Sequence, residues 1–137
     1  MPASRTFALL LAAAGLATGC GATGSNSAAS FSGVKKDVAT AIDDLSSAAR
    51  KSDEGAICTN LLATSLIQQL QSGGQTCRTA ISHALDDADT VDMDVKSVTV
   101  TGTKATAVVD SKRKDTNDTF QLVKEGGRWK ISTFGGA

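Results

Sequence analysis

The segment from Val91 to Phe134 is the part of this 137-residue sequence that most constrains its fold. It holds four short runs rich in Val, Thr, Phe and Trp, separated by residues typical of turns, such as Gly102 and the pair Gly126–Gly127. This pattern predicts a four-stranded antiparallel meander. The alternation of apolar side chains slips by one after Val95, which predicts a β-bulge near Lys96–Ser97. One face of the sheet is apolar, so other elements must cover it.

Three amphipathic helices are predicted before the sheet, because apolar side chains recur at spacings of three and four residues. The first is expected from about Ser32 to Ser52. The second opens at Asp53–Glu54, where acidic side chains suit a helix N terminus, and ends at Gly73–Gly74. The third starts at Gln75 or Thr76 and ends in an acidic run. Helices packed on one face of an antiparallel sheet make an α+β fold of two layers.

The N terminus has the features of an export signal. Arg5 is followed by an apolar stretch at 7–16, which is too short to span a bilayer. Leu16-Ala17-Thr18-Gly19-Cys20 then resembles the lipobox of a bacterial lipoprotein signal peptide, although Ala17 stands where Leu is commonest. The resemblance implies that residues 1–19 are removed and that Cys20 is lipidated, which places the protein on the extracytoplasmic face of the cell membrane. The alternative is an ordinary secretory signal, cleaved near Ala22 or Ala28, with Cys20 lost.

Small and polar residues at 21–30 predict a flexible tether, since they cannot bury a core. Cys20 and this tether would form one segment, 20–30. The remaining residues, 31–137, are expected to make a single domain.

Cys58 and Cys77 are an even pair in an exported chain, and a disulfide is therefore the expected state. Both lie near the start of their predicted helices. A straight antiparallel hairpin of the second and third helices would keep them far apart, so the pairing argues that the second helix is broken or tilted. A metal half-site and a redox pair are weaker alternatives, because other ligands and the Cys-x-x-Cys spacing are missing.

Composition excludes several classes of function. The 14 basic and 14 acidic side chains cancel, which gives no basic footprint for nucleic acid. With four Phe, one Trp and no Tyr, a base-stacking platform is not expected. His83 is predicted to be a surface or partly buried residue of the third helix. The carboxylates around Asp86–Asp94 lack the loop, bent by a glycine, that a calcium site usually has. Neither a metal site nor a cofactor is predicted. The basic run Lys112–Lys114 is expected to be a solvated hairpin tip, and contact with anionic lipid or wall polymer is the weaker alternative.

Two stretches resemble the nuclear transport factor 2-like superfamily, also called cystatin-like or SnoaL-like, and within it small actinobacterial lipoproteins. One is ICTNLLATSLIQQLQSGGQTC at Ile57–Cys77. The other is the closing meander from Val98 onward, with EGGRWKI at Glu125–Ile131. The resemblance implies a cone, in which three helices pack on a curved four-stranded sheet that wraps the first helix and leaves a pocket at the wide end.

The resemblance also frames the functional expectation. The predicted pocket is lined by apolar side chains from helices and strands: Val38, Ile42, Leu45, Leu66, Val98, Val100, Phe120, Leu122, Trp129 and Ile131. The leading hypothesis is a membrane-anchored lipoprotein that binds a small apolar ligand or a protein partner without catalysis. The alternatives are an isomerase- or dehydratase-type enzyme of the superfamily, for which no catalytic residue is assigned, and a structural module that forms a homodimer through its sheet.

Overall fold

The computed structural model describes residues 26–88, 91–111 and 117–135. Within these residues the helices precede a four-stranded sheet, which confirms the predicted α+β arrangement. The helical elements are a 3-10 turn Ser27–Ser30, α1 Gly33–Arg50, α2 Glu54–Ala56 continuing into a π-helical turn Ile57–Leu61, α3 Thr64–Ser72 and α4 Cys77–Asp86. The strands are β1 Asp94–Thr101, β2 Lys104–Asp110, β3 Asn117–Glu125 and β4 Arg128–Thr133. The predicted signal peptide, Cys20 and the basic run Lys112–Lys114 lie outside the described residues.

The sheet is an antiparallel meander in the order β1-β2-β3-β4. Its register shifts between Val95 and Ser97, which confirms the predicted bulge and leaves Lys96 as the extra residue. The β3–β4 turn is Gly126–Gly127, with φ values of 57° and 79°. Two consecutive positive φ values suit a tight hairpin turn whose twist matches the strands, and glycine adopts them without a steric penalty.

The predicted second helix is interrupted, as the cysteine argument requires. Leu62 is extended, with φ −93° and ψ 142°, and it forms a parallel bridge with Ile131 of β4. The amide of Ala63 donates to the carbonyl of Ile131 over 2.8 Å. The chain therefore leaves the helix for two residues to pair with the edge of β4, and four helices replace the expected three. The pairing satisfies part of an edge that would otherwise be open.

The N terminus of α3 is fixed by the other side of the same hairpin. The Glu125 carboxylate accepts hydrogen bonds from the Thr64 amide, at 3.2 Å, and from the Thr64 hydroxyl, at 3.0 Å. A carboxylate at this position satisfies an amide that has no partner within the helix. It also interacts favourably with the positive end of the helix dipole. The apolar spacing alone predicts a continuous second helix here, because Leu61, Leu62 and Leu66 fit the helical pattern.

The folded unit begins earlier than composition predicts. Residues 27–30, assigned to the tether, form the 3-10 turn, and Ala28 is buried. The amides of Ser27 and Ala28 donate to the Asp43 carboxylate at 3.2 and 2.9 Å. The amide of Val95 in β1 donates to the Ser27 hydroxyl at 2.9 Å. These bonds hold the turn between α1 and β1, so residues 27–30 are packed against the domain that was expected to begin at 31.

The core lies between α1 and the inner face of the sheet. α1 packs on β1, β2 and β4, and its fully buried side chains include Val38 and Ile42. On β2 the inner positions are Ala105, Ala107 and Val109, small side chains that allow the helix to approach closely. Among the described residues, no helix combines the length and the apolar character needed to cross a membrane.

Candidate ligand-binding site

An apolar cavity of about 220 Å³ opens between α1, α4 and the end of the sheet where β1 and β3 begin. We call it the apolar cavity. Fourteen residues line it, and most of them are hydrophobic or small. They are Leu45, Ala49, Ile57, Ile81, Ala84, Leu85, Ala88, Val91, Met93, Ser111, Asp118, Phe120, Phe134 and Gly135. Such a mainly apolar concavity with few polar groups is the usual form of a small-molecule site.

The α4 wall is positioned by the disulfide between Cys58 and Cys77, which is present as the sequence predicts. Cys77 is the first residue of α4, and Cys58 lies next to Ile57 in the π-helical turn. The bond thus joins the two elements that carry Ile57 and Ile81 into the cavity. Thr76 caps α4 by accepting a hydrogen bond from the Thr79 amide, as expected for a helix that starts there.

The segment before β1 is held against α1 by polar contacts. The buried Ser46 hydroxyl donates to the Val91 carbonyl over 2.8 Å. Arg50 pairs with Asp92 at 2.7 Å and also donates to the Ser46 hydroxyl at 3.2 Å. These bonds place the side chains of Val91 and Met93 on the cavity wall. The sequence pattern had assigned both residues to the first strand, which begins at Asp94 instead.

The polar groups of the apolar cavity are concentrated at one end. The Ser111 hydroxyl donates to the Asp118 carboxylate over 2.9 Å, across the β2–β3 connection. Phe120 and Phe134 lie beside this pair, with ring centroids 5.9 Å apart in an edge-to-face arrangement. Phe134 keeps 36% of its surface exposed, which places an aromatic ring at the entrance. The arrangement can enclose an apolar body and offer it one hydrogen-bonding end.

A second, more polar depression lies on the other flank of α1, and we call it the α1–α2 groove. Its volume is about 640 Å³, and it shares no lining residue with the apolar cavity. Both acidic and basic side chains line it: Asp37, Asp44, Asp53, Lys51 and Arg128. Desolvation by the surrounding protein, followed by repulsion from Asp43, raises the pKa of the Asp44 carboxyl above its ordinary value.

Trp129 forms part of this groove and carries an unusual donor. The side chain is 6% exposed, and its Nε1 has no hydrogen-bond partner within the described part of the chain. The Lys124 ammonium lies 5.9 Å from the ring centroid, within the range of a cation–π contact. An unpartnered buried N–H costs about 1–3 kcal/mol, and because the nitrogen itself is buried, solvent in the groove does not satisfy it.

The structure separates the ten side chains predicted to line one pocket. Leu45 and Phe120 line the apolar cavity, and Trp129 lines the α1–α2 groove. The other seven line neither: they pack in or against the core. They are Val38, Ile42, Leu66, Val98, Val100, Leu122 and Ile131. They belong to the core, most of them where α1 packs directly on β1, β2 and β4.

Sequence reasoning missed the residues that create the space. Ala84, Ala88, Ser111 and Gly135 leave room at the cavity because their side chains are small or absent. The available signal was the run of alanines on the apolar side of the predicted third helix. His83, on the same helix, is exposed and borders a shallow surface pocket with Glu54 and Arg78.

Within residues 26–88, 91–111 and 117–135, no group of three or more His, Cys, Asp or Glu side chains could hold a metal ion.

The large hydrophobic side chains that are exposed among the described residues are Val34 and Phe134, which do not form a patch on the sheet. Homodimerisation through the sheet stays a prediction.

Comparison with protein families finds that residues 73–133 match a model described as "putative lumazine-binding". The matched stretch begins before α4 and runs to the end of β4, which is less than half of the chain. The match supports the nuclear transport factor 2-like superfamily. Nine of the fourteen residues that line the apolar cavity lie within it. Neither the comparison with curated proteins nor the comparison with solved structures finds a match.

Proposed function

We propose that this protein is a lipid-anchored lipoprotein of the cell envelope, whose single domain binds a small apolar ligand in the apolar cavity. The observation that carries the ligand-binding role is the overlap between the cavity and the matched family segment: α4, the segment before β1 and the start of β3 supply most of the wall. The described lining residues include one ionisable group, Asp118.

The cavity volume sets the size of the ligand. A cavity of about 150 Å³ lined by apolar side chains holds benzene, so the 220 Å³ found here suits a compact body of one or two rings. Lumazine itself, a bicycle with ring nitrogens and carbonyl groups around its edge, would need many polar partners. Ser111 and Asp118 offer them at one end only. We therefore assign the site to a more apolar ligand with a single hydroxyl or N–H donor, which the Asp118 carboxylate would accept.

The binding test uses naphthol and a pair of variants on α4. Ala84 lines the apolar cavity and is exposed enough for a larger side chain to be built there, so Ala84→Phe should fill the opening. His83→Phe adds the same ring on the same helix, outside the cavity. Titration calorimetry should show naphthol binding to the parent protein and to His83→Phe, and a loss of at least about tenfold in affinity for Ala84→Phe. Equal binding by both variants would remove the cavity as the site.

The anchoring role is supported by the lipobox-like stretch that ends at Cys20, by the small polar residues that follow it, and by the disulfide, which is typical of exported proteins. Two or three acyl chains would hold the domain at the membrane firmly, whereas one chain would not. Mass spectrometry of protein extracted from membranes should find a mature chain that starts at an acylated Cys20. Cys20→Ser should release the protein from the membrane fraction. A mature chain that starts after Cys20 would contradict the anchor and leave the cavity proposal intact.

A further inference from the structure

The two residues that follow β4 lie at the entrance of the apolar cavity. β4 ends at Thr133, which pairs with Gln121 of β3. Phe134 and Gly135 continue past this pair, outside any strand, and both line the cavity. We call these two residues the strap. Of the large hydrophobic side chains that are exposed in the described part of the chain, Phe134 is the one that lines the cavity.

Gly135 brings the strap closer to β3 than a residue with a side chain would allow. A Cβ at this position would lie 2.6 Å from the Thr119 amide nitrogen, 2.7 Å from the Asp118 Cβ and 2.9 Å from the Thr119 carbonyl oxygen. Non-bonded heavy atoms settle at about 3.5–4.0 Å, so a side chain here would push the backbones apart. Gly135 is not one of the glycines with a positive φ. Glycine is therefore needed here for close approach rather than for an unusual backbone conformation.

Packing, and not a hydrogen-bond ladder, holds the strap in place. Among the described residues, no backbone hydrogen bond holds Phe134 or Gly135. The ring of Phe134 packs edge-to-face on the buried ring of Phe120, with centroids 5.9 Å apart. Segments with few buried contacts open at a low cost in free energy. Opening of the strap requires only the loss of this ring contact and of the close backbone approach at Gly135.

We propose that the strap is a gate of the apolar cavity, which moves away from Phe120 to admit a ligand and closes over the ligand once it is bound. This inference rests on the ligand-binding function proposed above. Gly135 is a positioning residue, because its approach to Thr119 and Asp118 sets the Phe134 ring on Phe120. Asp118 also carries the hydrogen-bonding end of the cavity, so the strap closes beside that end.

The ring contact sets the size of the effect. One edge-to-face pair favours the closed form over the open form by about threefold to tenfold. A ligand that enters only through the open form associates more slowly by about that factor. Displacement of the strap should therefore raise the rate constants of association and dissociation together and change the affinity less than either rate. A side chain that was only part of the wall would change chiefly the dissociation rate constant.

Stopped-flow mixing with naphthol, followed through the fluorescence of naphthol, measures both rate constants. Gly135→Ala should raise each of them about threefold to tenfold, because it displaces the strap and keeps the ring. Phe134→Ala should also raise both, and dissociation more than association, because the ligand loses the ring as well.

Two variants away from the cavity are the matched controls. Gly73→Ala adds the same methyl group where the nearest atom, the Leu70 carbonyl oxygen, is 3.3 Å away. Val34→Ala shortens the other large hydrophobic side chain that is exposed among the described residues. Neither residue lines the cavity, so both variants should bind naphthol at the rates of the parent protein.

The outcomes separate the gate from the binding site. Rate constants that are unchanged in both strap variants, or a rise in dissociation alone, would overturn the gate and leave the cavity as the site. Failure of the parent protein to bind naphthol would count against the proposed function, and the strap would then be judged without a ligand. Nuclear Overhauser contacts between the rings of Phe120 and Phe134 should be present in the parent protein and lost in Gly135→Ala. Contacts that persist in this variant would overturn the positioning role of Gly135 and the gate with it.

Discussion

Removal of the Cys58–Cys77 disulfide should lower the free energy of unfolding by about 3 kcal/mol. The two cysteines are 19 residues apart, and closing a loop of this size restricts the unfolded chain by that amount in the chain-entropy model. For a domain of about 110 residues, the entropy of unfolding is about 0.23 kcal/mol per kelvin, so the melting temperature should fall by about 13 °C. The loop contains the Leu62–Ala63 break and all of α3.

The measurement is urea denaturation of the parent protein and of the Cys58→Ala/Cys77→Ala variant. Reduction of the parent protein by a dithiol is the control, because it opens the same loop without removing the sulfur atoms from a site where Cys77 is buried. Both samples should lose stability, and the slope of the free energy against urea should rise as the unfolded chain expands. A loss below about 1 kcal/mol in both would refute the stabilising role assigned to this bond.

Three further predictions follow from single contacts. Asp44→Asn should stabilise the domain at neutral pH, because the pKa of this carboxyl is raised in the folded state. The advantage should shrink as the pH falls through the raised pKa of the folded carboxyl and should be lost below 3.8, its ordinary value. A gain that grows on acidification would contradict the desolvation argument. Asp43→Ala should cost about 1–2 kcal/mol in urea denaturation and expose the amides of Ser27 and Ala28 to hydrogen exchange; unchanged protection there would count against the docked 3-10 turn. Gly127→Ala should cost about 1 kcal/mol in thermal unfolding through its φ of 79° alone, since an added Cβ meets no atom within 4 Å.

The sheet could be predicted closely from the sequence because its signals are local. Alternation of apolar residues gives the strands, its slip after Val95 gives the bulge, and the Gly126–Gly127 pair gives a hairpin turn. The cysteine spacing predicted that the second helix is broken or tilted, but it did not predict that the break lies at Leu62–Ala63. The pairing of Leu62 with Ile131 is a contact between distant parts of the chain, and the local apolar spacing favours an unbroken helix there.

The candidate site was harder to predict for a physical reason. Large apolar side chains indicate which positions are buried, and Val38, Ile42 and Ile131 are indeed buried. A cavity, however, arises where packed elements leave space, and at Ala84 and Gly135 that space depends on the final distance between elements. The start of the domain raised the same difficulty. Small polar residues at 27–30 read as a tether until the Asp43 carboxylate, distant in sequence, bonds to their amides.

Intermolecular nuclear Overhauser contacts between bound naphthol and the methyl groups of the protein would test the ligand-binding claim most directly. The account predicts contacts from the ligand to Leu45, Ile57, Ile81 and Leu85, which converge on the apolar cavity from three helical elements. Contacts confined to Leu61 or to the outer face of the sheet, with none to these four side chains, would contradict it.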